Sequence, residues 1–282
     1  MLWFYLVLVN IITLSLATLL QRVLMKEEQS DPFIYTIVFQ LTVSVVVAIY
    51  AFYKGFQLPS LLPLWPFILL MTVFYAFASV ALLNAFKLSE ASEVSVISSS
   101  RSLWILFVAI PFLNESLTTK KVLGTLLVVL GVVIVSWTGK KFKLKKGHLF
   151  ALLAAFLFGV AFVNDAFLLH SFSFPSYTVM AFFLPGLFLL LLKPKSIKKM
   201  KLFFNFNRLV KMVLLAIFYG TAALAIYASY QAGGEASQIA PISQSSVILT
   251  VLLAAIFLNE RGRFVNKIAG AIAVFIGVIL LK

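Results

Sequence analysis

The sequence contains no cysteine, which excludes disulfides, thiol catalysis and thiolate metal sites. It has only two histidines, His148 and His170, and they are too far apart to suggest a local metal site. Charged residues make up only 11% of the chain, whereas a soluble domain has about 25%. No phosphate-binding Gly-Lys-Ser/Thr loop and no nucleophile elbow occurs. We therefore expect no enzyme, no cofactor, no metal and no direct use of ATP.

Hydrophobic residues make up 62% of the 282 residues, more than a water-soluble fold of this size can bury. The bilayer must be the solvent, and runs of about 20 apolar residues are each long enough to cross it as a helix. We predict an all-α integral membrane fold with ten transmembrane helices. The predicted spans are residues 2–24, 32–53, 65–86, 91–112, 121–137, 148–169, 176–192, 212–231, 236–258 and 264–281.

The second half of the chain repeats the first. Glu-Ala-Ser at 90–92 returns at 235–237, and Phe-Leu-Asn-Glu at 112–115 returns at 257–260. Between these limits, 11 of 26 aligned positions are identical. Farther along, Gly124 and Gly131 recur as Gly270 and Gly277 with the same spacing of seven. Two copies of one membrane unit are the usual plan of a secondary transporter.

Five predicted helices fall in each half, and an odd number makes the second copy enter the membrane from the opposite side. The sequence therefore predicts two inverted repeats, residues 1–138 and 148–282, joined by a basic linker at 139–147. Each half alone would leave its inner helix faces without a partner. We interpret the halves as parts of one bundle.

The net charge of +14 comes from basic loops. The loops after odd-numbered spans, with the adjoining helix ends, hold 18 of the 23 Lys and Arg residues. The positive-inside rule makes that side cytoplasmic and places both termini outside. The basic, Phe-containing segment 193–211 indicates contact with anionic lipid at the membrane surface, and we expect no nucleic-acid partner.

Each half carries a polar run of small residues, an apolar helix, an Asn-Glu turn and a helix with two glycines. These elements occupy residues 90–102, 114–115 and 124–131 in the first half and 235–246, 259–260 and 270–277 in the second. In this arrangement the chain resembles the EamA family of the drug/metabolite transporter superfamily. The likeness covers nearly the whole chain.

The resemblance implies a carrier of small metabolites in the plasma (inner) membrane, often an exporter of amino acids or related compounds. It also implies a central cavity lined by the third and fourth helices of each half, and termini in the cytoplasm, opposite to the charge rule. Small multidrug exporters of this superfamily use a glutamate in the first helix for proton exchange. Here residues 1–26 contain no Asp or Glu.

Arg101 is the ionisable residue placed most clearly inside an apolar run, which is costly unless it faces a cavity or a partner. Its guanidinium could bind a carboxylate or phosphate of the substrate, or form a structural ion pair, or extend to the interface. Its repeat mate is Ser246, so the cavity would be electrostatically uneven. Other polar or aromatic candidates for the cavity wall are Ser98, Ser100, Asn84, Tyr219, Tyr227, Gln238, Gln244 and Ser245.

Four ionisable residues are candidates for coupling or gating. Glu90 and Glu235 start the fourth helix of each half, where a carboxylate can also simply cap the helix. Asp165 aligns with Arg22 at an offset of 143, and either can act in coupling or anchor the helix at the interface. Pro241 predicts a break in the ninth helix, either to free a backbone carbonyl for ligand binding or as a kink for packing.

These patterns together predict a secondary carrier of small molecules, driven by the substrate gradient or by protons. A flippase for lipids or polyprenyl carriers remains an alternative, because 29 Phe and a basic surface segment suit it. A membrane scaffold or sensor without transport is the other alternative.

Overall fold

The computed structural model describes residues 2–25, 31–89, 94, 97–136, 145–200, 205–257 and 264–281. These residues form helices and connecting turns, with no strand among them. The first half contains α1 (Leu2–Met25), α2 (Pro32–Tyr53), a 3₁₀ turn (Leu62–Leu64), α3 (Trp65–Leu88), α4 (Arg101–Leu113) and α5 (Thr119–Ser136). The second half contains α6 (Lys146–Leu168), α7 (Phe174–Leu192), α8 (Ser196–Met200), α9 (Phe206–Gln231), α10 (Ala236–Ser243), α11 (Ser246–Phe257) and α12 (Phe264–Leu281).

Local sequence explains where several helices begin and end. Asp31 caps α2 by accepting a hydrogen bond from the Phe33 amide at 3.0 Å, and Pro32 occupies the first turn, where no N–H is needed. Asn205 caps α9 in the same way through the Asn207 amide, at 3.2 Å. Asn114 ends α4 in the left-handed conformation, with φ of 54°.

Six helices in the described part of the chain are long and apolar enough to cross a membrane. They are α1, α2, α3 with its preceding turn, α6, α7 and α9. Many large apolar side chains on the helices point outward, among them Ile49 (72% exposed) and Phe275 (67% exposed). Such a surface suits lipid, so the chain is a multi-pass integral membrane protein. The count of ten spans stays a prediction, because α4, α5, α10, α11 and α12 are shorter.

The two halves pack reciprocally. The first helix of each half packs against the third helix of the other, α1 on α9 and α6 on α3. The second helices, α2 and α7, pack together, and so do the fifth, α5 and α12. Phe39 meets its own repeat mate Phe182 edge to face, with ring centroids 6.4 Å apart. Reciprocal packing of equivalent helices indicates a pseudo-two-fold axis between the halves.

Glycines show the direction of that axis. A Cβ on Gly131 would lie 2.6 Å from the Gly270 carbonyl oxygen, and one on Gly124 would lie 3.0 Å from that of Gly277. Because Gly270 is the repeat mate of Gly124, and Gly277 that of Gly131, the equivalent helices α5 and α12 run antiparallel. A two-fold axis that relates antiparallel helices is perpendicular to them. It lies in the membrane plane if they cross the membrane, as the predicted inverted repeats require.

Candidate functional site

The centre of the bundle contains an interruption between two helices. The ninth predicted span is broken into α10 and α11, and Gln244 and Ser245 lie between them. Opposite this break, α4 begins at Arg101. Interrupted helices bring irregular backbone and polar groups to membrane depth, where they are tolerated next to a cavity or within protein.

Arg101 meets an amide and two aromatic faces. Its guanidinium donates to Gln244 Oε1 at 3.2 Å, and the Gln244 amide in turn donates to the Ser98 carbonyl oxygen at 3.4 Å. The rings of Phe158 and Phe162 lie 5.8 and 5.2 Å from the guanidinium carbon. Among the side chains that the structure describes, no carboxylate lies within ion-pair distance of Arg101. Gln244 is the hydrogen-bond acceptor that the described residues offer to its five N–H donors.

Several buried hydroxyl groups in this region have no hydrogen-bond partner among the described residues. The side-chain oxygens of Ser98, Ser102, Ser245 and Tyr230 are in this state. An unsatisfied buried hydroxyl is costly, and each such group needs an explanation. A polar ligand or water between the helices would satisfy these oxygens.

Asp165 is the centre of a second polar cluster and is fully buried. Its carboxylate accepts hydrogen bonds from the hydroxyl groups of Tyr75 and Tyr177, the latter at 2.5 Å. The ring of Tyr227 packs edge to face on Tyr177, with centroids 5.1 Å apart. No described cation lies within ion-pair distance of Asp165.

One face of α6 joins the two clusters. Phe158, Phe162 and Asp165 follow each other at intervals of four and three residues, which places them on the same side of a helix. Tyr75 contacts both clusters, because its ring lies 5.8 Å from that of Phe158 and its hydroxyl group donates to Asp165. A guanidinium and a carboxyl group therefore border one region lined by aromatic rings.

Of four other predicted residues, Tyr219 lies near the Arg101 cluster. It interacts electrostatically with Arg101, and its ring packs against that of Phe39, with centroids 4.9 Å apart. Asn84 and Ser100 bond to their own helical backbone, at the carbonyl oxygens of Val80 and Ile97. Gln238 donates to the carbonyl oxygen of Leu281 at the end of α12, 2.8 Å away. The polar groups of Asn84, Ser100 and Gln238 are thus satisfied within the protein.

Pro241 lies inside α10, which continues to Ser243, so the break comes after the proline rather than at it. Glu90 and the side chain of Arg22 lie outside the described residues. Their predicted roles, like those of the other site residues, stay predictions.

Glu235 occupies the N-cap position of α10 but makes no capping hydrogen bond with its side chain. It pairs instead with Lys121 of the first half. Glu115 caps α10 in its place, accepting from the amides of Ala236 at 2.8 Å and Ser237 at 3.2 Å. The Asn-Glu turn of one half thus caps a helix of the other half.

Sequence reasoning missed Tyr177, Phe158, Phe162 and Lys121. A charged residue near a helix start was the signal available for Lys121. The three aromatic residues gave none, because the chain has 29 Phe and nine Tyr. The described residues contain no group of His, Asp and Glu that could hold a metal ion.

Comparisons with known proteins bear on the whole architecture. A search of curated proteins found no match. Among 29 matching chains of known structure, one crystal structure of a protein has a TM-score of 0.74 and 18% identity, covering all of this chain and 95% of its own. At that identity the likeness establishes the fold alone. The sequence profile of the EamA-like transporter family matches residues 1–137 and 145–282, once for each half. The chain therefore belongs to the EamA-like transporter family, a group of membrane transporters in the drug/metabolite superfamily.

Proposed function

We propose that the protein is a secondary carrier in the plasma membrane that exports small polar or anionic metabolites, amino acids and related compounds among them. It works by alternating access, with the site between the two halves open to each side in turn. The driving force is the substrate gradient or a proton gradient.

The main support for this proposal comes from the contacts of the Arg101 guanidinium inside the bundle. A guanidinium in a low-dielectric bundle requires a counter-charge or several hydrogen bonds, and here one amide oxygen and two ring faces contact it. A substrate carboxylate or phosphate would supply a counter-charge through a bidentate contact. The hydroxyl groups of Ser98 and Ser245, which have no hydrogen-bond partner among the described residues, suit the remaining oxygens of such a group.

The test compares metabolites in cells and medium with and without the protein. We expect at least one anionic or zwitterionic metabolite to accumulate in the medium of cells that express the wild type. Arg101→Gln should reduce that efflux by about tenfold or more, since hydrogen bonds to charged groups contribute roughly 1.5–3 kcal/mol each. Lys195→Gln, which removes an exposed positive charge, is the matched control. Efflux unchanged by Arg101→Gln would contradict the assignment.

A second candidate, lipid flipping, has one observation in its favour. An apolar groove of about 420 Å³ runs between α1, α2 and α9. Its lining includes Leu6, Val46, Val47, Ile217 and Leu224. Transfer of a fluorescent lipid between leaflets of liposomes that contain the purified protein would favour this function, whereas efflux of water-soluble metabolites without lipid transfer favours the carrier.

A further inference from the structure

We propose that Glu115, Lys121 and Glu235 form a gate on one side of the central site, closed in this structure and opened once in each transport cycle. The gate rests on the alternating access proposed above. It joins residues of the first half, Glu115 and Lys121, to Glu235 of the second half.

Lys121 is the centre of the gate. The residue is only 5% exposed, and its ammonium donates to the Ser116 carbonyl oxygen at 2.9 Å. It also contacts the carboxylate of Glu235 and lies 3.8 Å from that of Glu115. Two carboxylates from different halves therefore neutralise one buried cation. Separation of the halves has to break the contact with Glu235.

Glu115 also connects the two halves, because its carboxylate binds backbone amides of the second half. Its carboxylate accepts from the amides of Ala236 and Ser237 and from the Ser237 hydroxyl. The first amides of a helix have no partner within it, and the helix dipole favours an anion there. The start of α10 is thus held by the turn between α4 and α5.

The gate and the central site lie at opposite ends of α10. Helix α10 runs from the gate to Gln244 and has eight residues, which correspond to about 12 Å at 1.5 Å per residue. Helix α4 runs back from Arg101 to the turn that carries Glu115. The two helices are joined at one end by Arg101 and Gln244 and at the other by Glu115 and Ser237. While both contacts are present, a ligand has no path between these two helices in the proposed gate.

The chemistry of the junction suits reversible opening. Removing charges from water costs nearly as much as their attraction returns, so a buried ion cluster adds little net stability. When the halves part, water can solvate all three charges again. The Glu235 side chain is already 42% exposed, so water reaches the edge of the closed gate.

The residues of the gate recur in the sequence. Glu235-Ala236-Ser237 matches residues 90–92, and Glu115 and Lys121 match residues 260 and 267. Residues 90–92 and 260 and the side chain of 267 lie outside the described part of the chain.

The test uses a thiol reporter that needs no known substrate. The chain has no cysteine, so Ser98→Cys places a single thiol beside the central site. A second protein with only Lys120→Cys, at an exposed position beside the gate, reports which face of the membrane the gate occupies. A membrane-impermeant maleimide is added from that face, and the labelling rate of the Ser98→Cys thiol is measured.

In the Ser98→Cys background, Lys121→Gln and Glu235→Gln should each accelerate labelling from the gate face by about tenfold, because either removes the ion pair that closes it. The double variant should be no faster than the faster single variant, since both changes break one contact. Lys120→Gln, which removes the neighbouring exposed charge, should leave the rate unchanged.

Labelling at the wild-type rate in both single variants would overturn the proposal. It would also be overturned if the acceleration in the double variant equalled the product of the two single-variant accelerations. If Lys121→Gln fails to fold, the half-exposed Glu235→Gln decides alone. Metabolite efflux is measured separately on the protein without the reporter. Faster labelling without any efflux would support the gate and reject the carrier, whereas efflux with unchanged labelling would reject only the gate.

Discussion

Asp165 is a fully buried carboxyl group that accepts hydrogen bonds from the hydroxyl groups of Tyr75 and Tyr177. Because an uncompensated charge is costly at this depth, a change of protonation there would change the electrostatics of the whole site. If protons drive transport, Asp165 is the described acid best placed to carry them.

Asp165→Asn tests this role. The amide keeps the size of the side chain but cannot release a proton, so we expect efflux to fall about tenfold or more and to lose its dependence on external pH. Efflux is measured across a series of external pH values. Tyr177→Phe, which removes one hydrogen bond and keeps the acid, should retain a pH dependence. A normal pH profile in Asp165→Asn would rule out proton transfer at this residue.

The site could be predicted only in part from the sequence. Arg101 and Gln244 were identifiable because polar groups in an apolar run are costly and need partners. Asn84 was equally conspicuous, yet its amide is satisfied by the backbone of its own helix. Gln238 contacts the end of another helix. Which of these outcomes occurs depends on the rotation of each helix in the bundle, which sequence spacing does not determine.

At the scale of helices, α5 and α12 approach each other closely. A Cβ at Gly131 would lie 2.5 Å from Val274 Cγ2 and 2.6 Å from the Gly270 carbonyl oxygen, so a larger side chain forces the helices apart.

Gly131→Val should therefore destabilise the protein by about 1–3 kcal/mol, the usual range for overpacking. The measurement is thermal unfolding of the detergent-solubilised protein, followed by size-exclusion chromatography. Leu130→Val changes a lipid-facing residue of the same helix, 53% exposed, and should leave the melting temperature nearly unchanged. Equal stability of the two variants would contradict the close packing of α5 and α12.

Helix boundaries were more predictable than helix interruptions. The predicted span 32–53 matches α2, and 264–281 matches α12. The ninth span is interrupted at Gln244 and Ser245, although Pro241 suggested an earlier break. A proline in the second turn removes only the hydrogen bond to Ser237, at a helix start that Glu115 already stabilises. That contact comes from the other half, so the local sequence did not contain it.

At the scale of the molecule, the number of spans fixes which loops share a face. With ten spans, Lys54 and Lys120 follow even-numbered spans and lie on one side, whereas Lys195 follows the seventh and lies on the other. Single cysteines at these three positions should label in that pattern with an impermeant maleimide applied to intact cells. The positive-inside rule predicts that only the thiols at 54 and 120 react. Labelling of 120 and 195 from the same side would refute the ten-span topology.

The two halves share a scaffold and differ in chemistry. Ser15 donates to the Ser246 carbonyl oxygen at 2.9 Å. The repeat mates of these residues are Phe158 and Arg101, where a ring lies 5.8 Å from the guanidinium carbon. The contact of Ser15 with Ser246 is therefore between neutral groups, whereas the equivalent contact of Phe158 with Arg101 involves a cation. In the alternating access proposed above, the halves would exchange conformations by symmetry, although the repeat mate of the cationic Arg101 is the neutral Ser246.

The contact between Phe39 and Phe182 has a consequence for motion. A residue in contact with its own repeat mate lies at the pseudo-two-fold axis, so in the alternating access proposed above this contact would act as the pivot. This spot should therefore stay still through the working cycle while the outer ends of the bundle swing. A fluorine label on either ring would report a nearly constant environment and serve as the fixed origin for measuring every other displacement.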